Sequence, residues 1–160
     1  RENIVIPPAK REFAINASNY HYWDEPVREY VDDCIAGQSG PRGTDFNMRW
    51  AASLVAEAYR IFVRGGIFLY PRDSRPNYQN GRLRLVYEAF PIALLVEQAG
   101  GTATDGEHRI LDRKITEIHE RVPLVFGSKD KVERVARYYC NPSIANKSHP
   151  LFTSRTLLRN

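Results

Sequence analysis

Gly65-Gly66-Ile67-Phe68-Leu69-Tyr70-Pro71 is the stretch on which the fold turns. Its apolar run at 67–70 is too short for a helix, is bounded by glycines and a proline, and reads as a buried strand. The paired glycines also stop a helix expected from about residue 47 to 64, with Trp50, Leu54, Val55, Ala58, Ile61 and Phe62 on its core face. Beyond Pro71, residues 71–82 are polar and carry Arg72, Arg75 and Arg82. A further helix is expected over about 88–99, with Pro91 in its first turn and Gly100-Gly101 at its end.

The same alternation continues in both directions. Toward the N-terminus, a strand at about 12–16 follows the stiff Pro7-Pro8 pair. Asp24-Glu25-Pro26 then opens a helix whose apolar stripe is Val27, Tyr30, Val31, Cys34 and Ile35, ended by Gly37. Residues 38–46 form a turn-rich loop. Toward the C-terminus, residues 102–104 and 122–126 read as strands, with an Asp105-Gly106 turn between them. Ser128 caps a last helix with the stripe Val132, Val135, Ala136 and Tyr139. Strands alternating with helices imply a layered α/β domain around a mostly parallel sheet. Residues 1–140 read as this domain, and 141–160 as a tail packed loosely on its surface or on a neighbouring subunit.

Composition narrows the function classes. With 160 residues, 42% of them apolar, the chain has material for one proper core. No run of about 18 apolar residues exists, so no membrane span is expected. The opening Arg1-Glu2-Asn3 has neither an initiator Met nor a signal-peptide pattern, and reads as the interior of a longer protein or an engineered boundary. Cys34 and Cys140 form no C-x-x-C pair, and a reducing, cytoplasmic location fits them best. The net charge of +4 is spread along the chain, without the basic stripe or aromatic platform of a nucleic-acid binder.

Three features point to chemistry. Arg49 is expected in the opening turn of the 47–64 helix, where a cation is unfavourable but free backbone N–H groups converge with the guanidinium on an anion. Tyr70 ends the decisive strand, and ligands in open α/β sheets bind beyond the carboxyl ends of strands. The loop that follows carries arginines around Asn80-Gly81, and a tyrosine hydroxyl with a loop arginine would suit a phosphate ester. Glu88, beside Tyr87, is a candidate magnesium ligand, although one carboxylate does not make a metal site. Against each stands a bland alternative: a solvated arginine, a charged surface loop, a helix-start carboxylate. His21, His108, His119 and His149 have no zinc-protease spacing, and there is no nucleophile elbow, Walker loop or dinucleotide fingerprint. The residues alone lead to a phosphate-binding α/β domain.

Longer motifs carry a resemblance. The run RWAASLVAE at 49–57, GGIFLYP at 65–71, GRLRLVYEAFP at 81–91 and EQAGG at 97–101 resemble class I fructose-1,6-bisphosphatases, in their C-terminal half. FAIN at 13–16, ILD at 110–112, HERVP at 119–123 and FGS at 126–128 fall in the expected order. The resemblance implies a three-layer α-β-α domain with a five-stranded mixed sheet, binding the sugar and its 6-phosphate. By position, Asn16, Tyr70 and Arg82 would contact that phosphate, together with Trp50, and Arg49 would reach the same phosphate in an adjacent subunit. Glu88 would help bind catalytic Mg2+. Three positions depart from the family pattern: Asn19 and Trp50 stand where tyrosines are usual, and Arg82 where a lysine is usual. The family's other metal ligands, in an acidic D-P-L-D-G-S-S-type motif, belong to its N-terminal half, as does its nucleotide-inhibitor site. The resemblance therefore implies a magnesium-dependent hydrolysis of fructose 1,6-bisphosphate to fructose 6-phosphate by a homo-oligomer, usually a tetramer, and an inactive fragment. A non-catalytic sugar-phosphate-binding module, or action on sedoheptulose 1,7-bisphosphate as well, is the alternative.

Overall fold

The structure, a computed structural model, describes residues 3–140; the expected tail at 141–160 lies outside the described residues. In chain order the elements are β1 (Glu12–Ala14), α1 (Glu25–Ile35), β2 (Asn47–Met48), α2 (Leu54–Arg64), β3 (Ile67–Tyr70), β4 (Leu83–Arg84), α3 (Phe90–Gln98), β5 (Thr102–Thr104), β6 (Arg121–Val122), β7 (Leu124–Gly127) and α4 (Lys129–Cys140). A π-helical turn, Leu85–Ala89, leads into α3. Among the described residues no helix is long and apolar enough to cross a membrane.

Five strands form one sheet in the order β2-β1-β3-β7-β5. Strand β1 runs parallel to β2 and β3, whereas β7 is antiparallel to both β3 and β5. Every strand of this sheet but β7 therefore points the same way, which is the mixed, mostly parallel sheet expected. Strands β4 and β6 form a separate antiparallel ribbon.

Period-two alternation sends side chains to two helical layers. Ala14, Phe68, Leu124 and Phe126 pack with Ala58 and Ile61 of α2 and with Ala93 and Val96 of α3. Phe13, Ile15, Ile67, Leu69 and Val125 pack on the other side, against Val27 and Val31 of α1 and Val132 and Val135 of α4. The central ring is Phe68, 5.0 Å from Phe126 and stacked 5.9 Å from Trp50. Helices on both faces make the domain three-layered, α-β-α.

The expected 47–64 helix is shorter than its pattern. The Asn47 and Arg49 N–H groups donate to Arg11 O and Phe13 O at 3.0 and 2.8 Å, so this backbone joins the sheet edge instead. Ala52 turns the chain with φ +56°, and Ser53 then caps α2 by accepting from the Ala56 N–H. Glu57, itself buried, accepts from the Ala51 N–H at 2.6 Å and steadies that turn. The helix is also rotated from the expected face: Val55 is 73% exposed, and Glu57 takes a buried place. Trp50 still reaches the core, but from the loop. The strand expected at 122–126 breaks at Pro123, which lacks an N–H, so that β6 pairs with β4 and β7 with β3.

A buried carboxylate ties α2 to the sheet. Glu12, 1% exposed at the start of β1, accepts from Arg60 Nη1 and Arg64 Nη2, each at 2.9 Å, and pairs with Lys10 at 3.4 Å. Burial alone would raise its pKa, but Arg64, Lys10 and Arg60 outweigh burial and hold it below the ordinary glutamate value. A lowered folded-state pKa means a contribution that is full above the unfolded-state value and fades as pH falls through the folded-state one. Glu12→Gln is expected to cost about 2 kcal/mol of stability at neutral pH. In urea titrations the gap between variant and wild type should close in acid, where the wild-type carboxylate is also neutral.

Candidate anion-binding site

Because β1 and β3 are parallel neighbours, their carboxyl ends lie side by side. Asn16 comes just past β1 and Tyr70 is the last residue of β3, which puts both at the edge where open α/β sheets bind ligands. The Asn16 side chain caps the short 3-10 helix Ala17–Tyr22, accepting from the Ser18 N–H at 3.2 Å.

The third wall comes from the β4–β6 ribbon. Gly81 has φ +84°, and a Cβ there would sit 2.2 Å from the Val122 carbonyl carbon. Only glycine lets the 71–82 loop approach the ribbon this closely, and the approach sets the place of Arg82. A small pocket results, lined by Ile15, Asn16, Asn19, Trp23, Leu69, Tyr70, Pro71, Asp73 and Arg82.

Three of the residues expected from the sequence, Asn16, Tyr70 and Arg82, thus meet in one cavity. The Arg82 guanidinium lies 3.6 Å from the centre of the Tyr78 ring, and its Nε is buried without a hydrogen-bond partner in the protein. A buried donor left unmatched costs on the order of 1–3 kcal/mol, a cost that an anionic oxygen at this point would offset. Asp73 contributes a buried carboxylate to the same wall. Burial would raise its pKa, but hydrogen bonds from Arg75 and the charges of Arg75 and Arg82 hold it below the ordinary aspartate value. Arg75 donates to Asp73 Oδ2 at 2.5 Å and to Asn19 Oδ1 at 3.0 Å.

The other expected residues lie elsewhere. Trp50 backs the pocket from the core, its ring 5.9 Å from that of Tyr70. Arg49 is not in the first turn of a helix: it follows β2, ahead of the Ser53 cap, so the convergence of guanidinium and helix N–H groups does not form. Its side chain is half exposed and only loosely paired, with Nε 3.7 Å from Glu12. Glu88 sits in the π-helical turn, where its Oε2 accepts from the Arg84 N–H at 2.7 Å. Among the described residues no group of three His, Cys, Asp or Glu side chains could hold a metal ion. Glu88 can offer an oxygen to a cation, but these residues do not fit a complete magnesium site.

A wider cleft runs between the 72–80 loop and residues 105–123. Ion pairs in its walls join Arg72 to Glu107 and Arg113 to both Asp105 and Glu120. Its charges are largely matched within the protein, whereas the small pocket is lined by an arginine whose Nε has no partner, which makes the small pocket the better candidate for an anion. The sequence reading missed Asp73, which lines this pocket, and Arg75, which binds Asp73 and Asn19 from beside it. The acid between Arg72 and Arg75 is visible in the sequence, but nothing in the loop's pattern says which arginine turns inward.

The family described as "Fructose-1-6-bisphosphatase, C-terminal domain" matches residues 6–140. The class 1 fructose-1,6-bisphosphatase of Sinorhizobium medicae is 60% identical over 158 residues, covering 99% of this chain and 45% of that protein. A class 1 enzyme of Xanthobacter autotrophicus is 61% identical over 146 residues, covering 91% of this chain and 39% of its own length. The holo crystal structure of Leishmania major fructose-1,6-bisphosphatase superposes with a TM-score of 0.79 at 37% identity, covering 86% of this chain and 40% of that one. The chain spans less than half the length of these relatives.

Gly81→Ala is expected to destabilise the domain by more than about 2 kcal/mol, since it adds a backbone clash to the left-handed φ penalty. Gly43, at φ +58° with nothing within 4 Å of where a Cβ would stand, isolates the penalty alone. Gly43→Ala should cost only about 1 kcal/mol in the same urea titration.

Proposed function

The chain belongs to the class 1 fructose-1,6-bisphosphatases, as their C-terminal domain, and from that membership we propose that it supplies the sugar 6-phosphate half-site of a sugar-bisphosphate phosphatase. The whole protein would hydrolyse fructose 1,6-bisphosphate to fructose 6-phosphate and phosphate. The observation that carries the reading is that Arg82, whose buried Nε has no hydrogen-bond partner in the protein, lines one pocket with Asn16 and Tyr70. A guanidinium, a phenol hydroxyl and a side-chain amide are all donors that suit phosphate oxygens.

In this reading Arg82 provides charge and directed N–H groups, Tyr70 donates its hydroxyl, and Asn16 turns its amide nitrogen to the ligand while its oxygen caps the turn. Trp50 contributes no direct hydrogen bond; it supports Tyr70 through ring contact. Arg49 serves a neighbouring subunit: its exposed side chain at the sheet edge is free to cross an interface, which needs at least a dimer and in a tetramer would recur at each site. Glu88 would provide one oxygen to Mg2+, the ion that supplies electrostatic activation of the reacting phosphate when bound. The residues described hold the substrate and orient it, and the metal-dependent step is not theirs alone.

Titrating the 160-residue chain with fructose 6-phosphate in a calorimeter tests this half-site. Saturable binding is expected, weakened about tenfold or more in Arg82→Ala, equivalent to some 1.4 kcal/mol. The chain by itself should release no phosphate from fructose 1,6-bisphosphate. Affinity unchanged in Arg82→Ala, or turnover by the isolated chain, would overturn the assignment.

A further inference from the structure

We propose that Arg75 is a second phosphate-contacting residue of this pocket, held at its mouth by Asn19 and Asp73 and set beside Arg82 by a shared tyrosine ring. The inference rests on the sugar-phosphate reading above and adds to it a residue, and a charge balance, that decide affinity and ligand charge.

Of the three arginines in the 71–82 loop, two are oriented by contacts that identify their roles. Arg72 turns away, pairing with Asp24 at 2.9 Å and Glu107 at 2.8 Å. Arg75 does not itself line the pocket, but both of its hydrogen-bond acceptors, Asn19 and Asp73, do. Its guanidinium also lies 4.3 Å from the centre of the Tyr22 ring and 5.0 Å from that of Tyr78. Arg82 rests on Tyr78 as well, at 3.6 Å. One aromatic ring is therefore in cation–π contact with both guanidinium groups.

The charge count gives the arrangement its meaning. Asp73 is the sole carboxylate among the pocket-lining residues, and without Arg75 it would cancel Arg82 and leave the cavity with no net attraction for an anion. With Arg75 present, the cluster carries one surplus positive charge. The contact with Asn19 is the replaceable one: an amide oxygen is a neutral acceptor, and a phosphate oxygen is a stronger partner for the same N–H. On ligand entry Arg75 would keep its bond to Asp73, release Asn19 and take a phosphate oxygen. The side chain is partly exposed, at 29%, and needs no backbone movement to do so.

Fructose 6-phosphate titrated into the wild-type chain and into Arg75→Gln, Arg75→Lys, Arg82→Gln and Asp73→Asn variants tests the proposal. Arg75→Gln is expected to weaken binding about fivefold or more, and Arg75→Lys to recover part of that loss by restoring the charge. Asp73→Asn should tighten binding by about threefold, because it removes the pocket's own anion while keeping an acceptor for Arg75. A merely structural Arg75–Asp73 pair would predict weaker binding in both variants. Wild-type affinity in Arg75→Gln beside a strong loss in Arg82→Gln overturns the role of Arg75 and leaves the half-site standing. Should Arg75→Gln fail to fold by circular dichroism, Arg75→Lys, which keeps the charge but loses the paired guanidinium N–H groups, decides the matter, and wild-type affinity there overturns the proposal. No saturable binding by the wild type removes the half-site and the inference together.

Discussion

Two-sided burial of β3 is the constraint on which the rest of the structure depends. Ile67 and Leu69 face one helical layer and Phe68 the other, and all three are at most 2% exposed. Such a strand has no solvent face and must be covered twice, which fixes α2 and α3 on one side and α1 and α4 on the other. Its neighbours are constrained in turn. Gly127, paired with Ile67, has φ +148°, and a Cβ there would lie 2.2 Å from the Gly66 carbonyl oxygen. At this one pair the chain comes closer to the Gly65-Gly66 junction than any side chain at position 127 would allow.

That rigid centre has a functional consequence at its far end. The strand that begins at the tight glycine junction ends at Tyr70, and its parallel neighbour β1 leads to Asn16. Two polar side chains are thereby delivered to one edge by elements that cannot shift without opening the core. The third component, Arg82, arrives on a ribbon tethered through Gly81, so a loop arginine gains the positional definition usually reserved for sheet residues. The buried, partnerless Nε is tolerated because the surrounding packing over-determines its position.

Charge is managed differently at the two ends of β1. At its start, Glu12 gathers Lys10, Arg60 and Arg64 and anchors α2, a structural use in which the carboxylate is fully satisfied. Past its end, Asp73 is a single carboxylate facing two arginines, paired with Arg75 at 2.5 Å and lowered in pKa by the charges of Arg75 and Arg82. The same residue types give a saturated fastening at one end and, at the other, a cluster that leaves the Arg82 Nε donor without a partner.

Much of the fold was legible because hydrophobic periodicity and glycine stops are local signals: of the stripe read on α1, Val27, Tyr30, Val31 and Cys34 are buried and only Ile35 is exposed, and residues 67–70 form the central strand. The start of α2 was not legible, because residues 47–50 continue a helix-like pattern while their N–H groups are claimed by Arg11 and Phe13, partners distant in sequence. That pairing also removed Arg49 from a helix terminus. The sequence by itself determined most of the helices and the central strands, the α/β class, the family, and the identity of Asn16, Tyr70 and Arg82 as polar residues near strand ends. Only the tertiary structure decided that these three share a cavity, that Asp73 joins them with Arg75 bonded to it, and that Arg49 and Glu88 stand apart. The physical reason is that side-chain convergence depends on strand order and backbone approach between segments far apart in the chain, and local residue preferences carry no record of either.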